Sequence, residues 1–475
     1  MDIYTGFLKY KDMDFSFVFS NNELKLVAPP EKAEWIRLNW LMKPTGNGVY
    51  TVGNTIYVEE PAIIGSCNET GSSIIFIPIV GSTIYGTNKL FGKGLPILII
   101  KLEAYITCKY ERELISRLSF TGPEINRIHP VNQAITWEYN PENLEDGIYK
   151  IETRGFSITT TEEKEFTVNG KKVTSKFGIT RGISTRINES PVSLNSTLMF
   201  EFEPTKDFEF IFRLCKIARD YIRFLCYRKN IVFEDINVSA PYPDGKFEPF
   251  GTLHLIEEQT AENKPLNDNR VIKQIFINKC ESRILQDISD NVLYLRHIPE
   301  SYKSGRHIDA ARFIMITAAF EWEFRRMSPD GIIKSKKRKQ AEERAIASIQ
   351  DLINTHSGKE KKIYKFLKSL IDSASLQDEV EAASKLLDPI IGVFGKHLYS
   401  INNEELKYSD MGKRLSDQRN HFAHGDLDKD FIGTSLLDLI FLEQIIYAMQ
   451  LKYYGLDELS IRKAINELFH LNYAI

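Results

Sequence analysis

Cysteine is scarce in this sequence, net charge is nearly absent, and no long uninterrupted apolar run occurs. The 475 residues hold five cysteines, Cys67, Cys108, Cys215, Cys226 and Cys280. An odd, scattered set without a C-x-x-C pair excludes a disulfide framework and a zinc ribbon, and it favours a reducing compartment, so a cytoplasmic location is expected. The most apolar stretches are broken by charges such as Asp438 and Glu443, and Met1-Asp-Ile-Tyr4 is not followed by a basic segment and an apolar run. Neither a membrane span nor a signal peptide is expected, and no membrane partner. Basic and acidic residues number 61 and 64, a net charge of -3, so any contact with nucleic acid must come from local basic patches rather than a global field. The histidines, among them His129, His254, His297 and His397, lack metal-ligand spacing. No metal and no cofactor is expected. The chain also lacks internal repeats and low-complexity tracts.

What is present is the profile of an ordinary globular protein, 43% hydrophobic and 26% charged, too long for one compact core. The hydrophobic period changes once along the chain. Up to about Phe202 the apolar residues come in short runs rich in Val, Ile, Phe, Tyr and Thr: 15–19, 73–79, 97–100 and 197–202. These read as strands. Between the alternating segments 165–168 and 172–175, Asn169-Gly170 signals a tight hairpin, because both turn residues must accept positive φ. The expectation is an antiparallel, sandwich-like or barrel-like β-rich domain over residues 1–205.

Residues 206–290 read as a connecting α/β region, in which a helix from Asp207 to Cys226 and a strand from Ile231 to Val238 pack on the sheet. From 291 to 475 the period is helical, with helices expected at 306–327, 338–356, 359–373, 377–398, 403–424, 430–454 and 457–471. Gly425 and Gly455 stand where two of these should stop. The fold class expected is α+β multidomain: a β-rich sandwich-like region followed by an all-α bundle of ordinary domain size.

Within that bundle the segment Arg419-Asn420-His421-Phe422-Ala423-His424-Gly425 concentrates the chemistry. Arginine can donate two parallel hydrogen bonds to phosphate oxygens and stays charged throughout. Histidine can move protons near neutral pH. His424 should fall in the last turn before Gly425, where the negative end of the helix dipole favours a protonated ring.

The motif resembles the catalytic motif of HEPN ribonucleases, in the helix, motif, helix setting that those domains give it. The likeness extends to a group within that superfamily. A strand-rich first half, a helix ending in Arg219-Asp-Tyr-Ile-Arg-Phe-Leu-Cys226 followed by a strand, and a helical second half containing Phe313-Ile-Met-Ile-Thr-Ala-Ala-Phe-Glu321 together look like the ApeA-like anti-phage HEPN proteins of bacteria. In the first half the resemblance is one of layout. The resemblance implies a metal-independent endoribonuclease of abortive-infection defence that attacks RNA through the ribose 2′-OH. Its substrate is RNA, with transfer RNA a candidate, and its site residues are Arg419, His424, Asn420 and Glu321. It further implies a homodimer through the C-terminal helices and a phage-derived trigger at the N-terminal domain.

Each residue also has a plainer reading. His421 reads as a packing group, although Arg414 and His421 form a second match with six intervening residues. Glu321 lies among Phe, Ile, Ala and Trp322 and either faces solvent or pairs with Arg419 to orient its guanidinium. Lys336, Lys337, Arg338 and Lys339, in the densest basic run of the chain, either grip RNA phosphates or form a solvated helix face. Five positions along a helix separate Arg419 from His424 by roughly 7.5 Å and about 140°, so two copies of the chain are expected to complete one site. The apolar residues of 431–447 give the following helix more apolar surface than one packed face requires, and a dimer would bury the excess. The rival reading is a non-catalytic module that binds RNA or a nucleotide, and a third is a carbohydrate or protein receptor on a helical oligomerisation scaffold.

Overall fold

The computed structural model describes residues 3–474 except 47–48, 53–55, 88–93, 113, 140–148, 189, 257–269, 333–335, 373, 426–430 and 432. The chain separates into two compact units, Met1–Ile222 with Asn230–Ala261 and Arg223–Lys229 with Glu262–Ile475.

The first unit is rich in antiparallel sheet. Its opening strands are β1 (Tyr4–Tyr10), β2 (Met13–Ser20), β3 (Glu23–Val27), β4 (Ile63–Cys67), β5 (Ser73–Pro78) and β6 (Ile97–Cys108). They hydrogen-bond in the cycle β6-β3-β2-β1-β4-β5-β6, so the strands close into a ring. Closure removes the free edges that would otherwise invite pairing with other chains. Alternation drives it: Phe15, Phe17 and Phe19 of β2 are buried with Leu24, Leu26 and Phe76, and the rings of Phe17 and Phe76 meet at 5.2 Å. The hairpins β1–β2 and β2–β3 turn on Lys11-Asp12 and Asn21-Asn22, all four at positive φ.

β6 also belongs to a second set of strands. Ala104–Cys108 pair with Gly251–Leu255, and from there the sheet runs outward. Its strands are β7 (Ile115–Thr121), β8 (Lys164–Val168), β9 (Lys171–Ile183), β10 (Val192–Thr205), β11 (Asp235–Tyr242) and β12 (Lys246–Leu255), ordered β6-β12-β11-β7-β10-β9-β8. Of the sandwich-like and barrel-like forms expected, the closed part matches the barrel-like one, in one continuous sheet that is part closed and part open. The Asn169-Gly170 turn joins β8 to β9 with φ of 50° and 77°. The strand expected at 231–238 begins four residues later, at Asp235; Ile231 is buried outside any strand. Helix α1 (Phe208–Cys226) packs Phe210 on Phe202 of β10 at 5.4 Å and Tyr221 on Phe177 of β9 at 6.5 Å.

The second unit is helical: α2 (Glu281–Ser289), α3 (Ala310–Met327), α4 (Lys336–Thr355), α5 (Gly358–Asp372), α6 (Leu376–Ile401), α7 (Tyr408–Ala423), α8 (Ser435–Tyr453) and α9 (Glu458–Leu468). Local chemistry sets the ends. Asp309, Ser375 and Asp457 accept backbone N–H groups at the starts of α3, α6 and α9, satisfying donors that a helix start leaves open. Gly425 and Gly455 take φ of 90° and 85° just after α7 and α8.

Helix α8 corrects the sequence reading. Leu439, Phe441, Leu442, Ile445, Ile446, Tyr447, Met449 and Leu451 are all buried within the chain itself, because α3, α6, α7 and α9 surround it. Most of its apolar surplus is the signature of a central helix, and what it leaves uncovered is the exposed Leu436 with the partly buried Leu437 and Ile440 of its first turns. No helix among the described residues is long and apolar enough to cross a membrane.

Candidate functional site

Helix α7 is held on one side by a buried charge. Arg414 donates from Nε and Nη2 to Asp438 of α8 at 2.7 and 2.8 Å, and the Tyr399 hydroxyl of α6 bonds the same carboxylate. Asp438 is fully buried, so this fork replaces the water the carboxylate has lost. One turn on, Gln418 is buried and accepts from the Ser435 hydroxyl at 3.3 Å. Arg414 thereby joins three helices, with 27% of its side chain exposed.

Arg419, five residues later, is placed differently. Its Nη2 donates to Glu321 of α3 at 3.0 Å, with 36% of the arginine side chain exposed against 16% of the glutamate. Glu321 thus takes the guanidinium on one side while the other remains open to solvent. Asn420 is exposed. His424 is the C-cap of α7, and its N–H donates to the Asn420 carbonyl at 3.0 Å. The imidazole is exposed and makes no hydrogen bond to another described residue. Arg419 and Glu321 are in contact, then, while His424 sits beyond the helix end and outside that pair.

A residue the sequence reading passed over completes the cluster. Glu379, in the first turn of α6, is buried, and its Oε2 has no hydrogen-bond partner among the described residues. Burial pushes its carboxyl up to about 7, and the negative charge of Glu321 adds to this, while Arg325 and Arg419 pull the other way. Two acids and two arginines therefore share one field, in which Glu379 exchanges its proton near neutrality. The signal was present: Leu376, Glu379, Val380, Ala383 and Leu387 recur at helical spacing, which puts an acid on an apolar stripe.

The basic run meets the cluster from α4. Arg338 forms a fork with the neighbouring Asp378 at 3.0 and 2.9 Å and also reaches Glu342 at 3.0 Å. The fork holds the Asp378 carboxyl below its usual range. Its charge is met within the chain, whereas Lys336, Lys337 and Lys339 are exposed. Lys334, which precedes these residues in the sequence, lies outside the described residues.

No protein-family model, curated protein or solved structure matches the chain. Chemically, the arrangement of these side chains offers a fixed guanidinium for an anion, an accessible imidazole at a helix terminus, and a carboxyl that is protonated below pH 7 and charged above it.

Proposed function

We propose that the chain is a HEPN-type, metal-independent endoribonuclease of anti-phage, abortive-infection defence, acting on RNA as a homodimer. The observation that carries this reading is the Arg419–Glu321 pair on a helix that ends in an exposed His424. Cleavage through the 2′-OH requires removal of that proton, neutralisation of charge on the phosphate, and a proton for the departing 5′-oxygen. Arg419 binds the non-bridging phosphate oxygens, and Glu321 fixes the plane of its fork. Two-fold pairing supplies two imidazoles: His424 accepts the 2′-OH proton and the partner's His424 returns one to the 5′-oxygen, the P–O5′ bond breaking as P–O2′ forms. Asn420 and the lysines at 336, 337 and 339 would steady the flanking strand.

The test is cleavage of RNA by the full chain in excess chelator, with analysis of the new ends. The expected outcome is undiminished cutting that leaves a 2′,3′-cyclic phosphate. A 3′-hydroxyl product or complete loss with chelator means a metal nuclease, and RNA retained on the protein without new ends means a binding module.

A further inference from the structure

Helices α4 and α5 form a hairpin that packs chiefly on itself, and among its described side chains only Ile353 is buried. The face that α5 turns to α4 is mixed in character. Lys361, Tyr364, Lys368 and Ile371 recur there at helical spacing and are partly buried. The Tyr364 ring lies 5.2 Å from that of His356, and Lys368 donates to Gln350 at 2.9 Å. The apolar stripe of α5 lies elsewhere, about 130° around the helix. Ile363, Phe366, Leu367 and Leu370, spaced i, i+3, i+4 and i+7, are 57%, 63%, 41% and 51% exposed. An amphipathic helix ordinarily lays such a stripe on the protein, whereas this one presents it to solvent.

Positive charge accompanies the stripe. Lys359 heads it, Lys362 and Lys365 follow on its flank, and all three are exposed and form no ion pair among the described residues. Glu360 is the one acid that borders it. Residues 336–372 together hold ten basic and five acidic side chains, in a chain whose net charge is -3. An occupant of this face is therefore apolar at its centre and negative at its rim. Three aliphatic side chains of the four give nucleic-acid bases no stacking platform. Protein interfaces are depleted in lysine, and a second copy of the same face would add lysines where acids are wanted. A lysine-bordered apolar stripe fits an anionic lipid surface, in which the apolar side chains enter the acyl boundary while the lysine stems reach up to the headgroup phosphates. No helix among the described residues is long and apolar enough to cross a membrane, and a helix lying flat in the interface needs no such length.

We propose that the outward face of α5 docks on an anionic lipid surface, with Phe366 and Leu370 at the centre of the contact and Lys359, Lys362 and Lys365 at its rim. The proposal stands apart from the ribonuclease reading, since its readout is vesicle binding alone. Flotation of the full chain would compare vesicles of phosphatidylcholine with vesicles of phosphatidylcholine mixed equally with phosphatidylglycerol. The chain is expected to float with the anionic vesicles, to stay behind with the neutral ones, and to be released by added salt. Phe366→Ser combined with Leu370→Ser should weaken vesicle binding by about tenfold or more, and Lys362→Gln combined with Lys365→Gln by about tenfold. Both double variants should keep the wild-type melting temperature, because all four side chains are exposed. Absence of flotation, equal flotation with neutral and anionic vesicles, or wild-type binding by either double variant overturns the proposal. Absence of flotation together with a dimer that Phe366→Ser and Leu370→Ser split in sedimentation overturns it in favour of a second copy as the occupant.

Discussion

His424 is exposed and makes no hydrogen bond to another described residue, so its loss should be felt by substrate and not by the fold. His424→Ala is expected to lower RNA cleavage on the order of a hundredfold or more with an unchanged melting temperature; wild-type rates in the purified variant would remove His424 from the mechanism. Glu379 makes the opposite kind of residue, buried and coupled to its neighbours. Its carboxyl is raised from 4.5 to about 7, so the folded chain retains a proton that the unfolded chain gives up. The stability this contributes is complete below pH 4.5 and is lost as pH rises through 7. Glu379→Gln keeps the neutral shape, so the two proteins should unfold at similar urea concentrations at pH 4.5, with the variant more stable at pH 8 by at most about 3 kcal/mol. A variant less stable than wild type at pH 8 would mean that the charged carboxylate is held by a cation. Above pH 7 the ionised Glu379 also competes with phosphate for Arg419, so cleavage by the variant should decline less steeply with alkalinity than cleavage by wild type.

Helix α7 gains its position from α8 through Arg414 and Asp438. Arg414→Met leaves a buried carboxylate without its cation and should cost about 3–5 kcal/mol at neutral pH. Arg414→Met combined with Asp438→Leu should regain most of that loss in urea denaturation. No recovery would show that Asp438 is needed for Tyr399 rather than for the arginine. At this scale the sequence was readable wherever a signal was local. Asn169-Gly170 marked its hairpin because those residue types accept positive φ, whereas Lys11-Asp12 adopts the same turn with no such signature and was not read. Helix ends at Gly425 and Gly455 were legible for the same reason. The surroundings of α8 were not, since a helix apolar all round shows that every face is covered and says nothing of what covers it. Likewise the Arg419–Glu321 contact could be posed from two residues 98 positions apart, but only the packing of α7 on α3 decides it. Glu379 was visible as an acid on an apolar stripe, and its neighbours were not.

For the whole molecule the consequence of the α8 packing is that pairing between chains must draw mostly on surface outside that helix, of which only the first turns keep exposed apolar side chains. Assembly is checked first by sedimentation at assay concentration, where a dimer is expected. Coexpression of wild-type and His424→Ala subunits in equal amounts then distinguishes a shared site from separate ones. If each cleavage centre needs both histidines, only dimers with two intact copies act, and activity should fall to about a quarter rather than about half. A value of half would assign each chain a complete site of its own.

The double membership of β6 also has a history in time. The ring closes from strands that all lie within Tyr4–Cys108, yet Ala104–Cys108, the end of β6 that β3 does not reach, finds its second partner only at Gly251–Leu255. During synthesis at about 5–20 residues per second, that segment stays bare for about 7–30 s after the ring can form. A ribosome pausing between the two stretches, or a truncated chain, would present an apolar strand margin to its neighbours. The yield of the intact chain should therefore fall when translation is slowed and rise with chaperones that shield nascent strands.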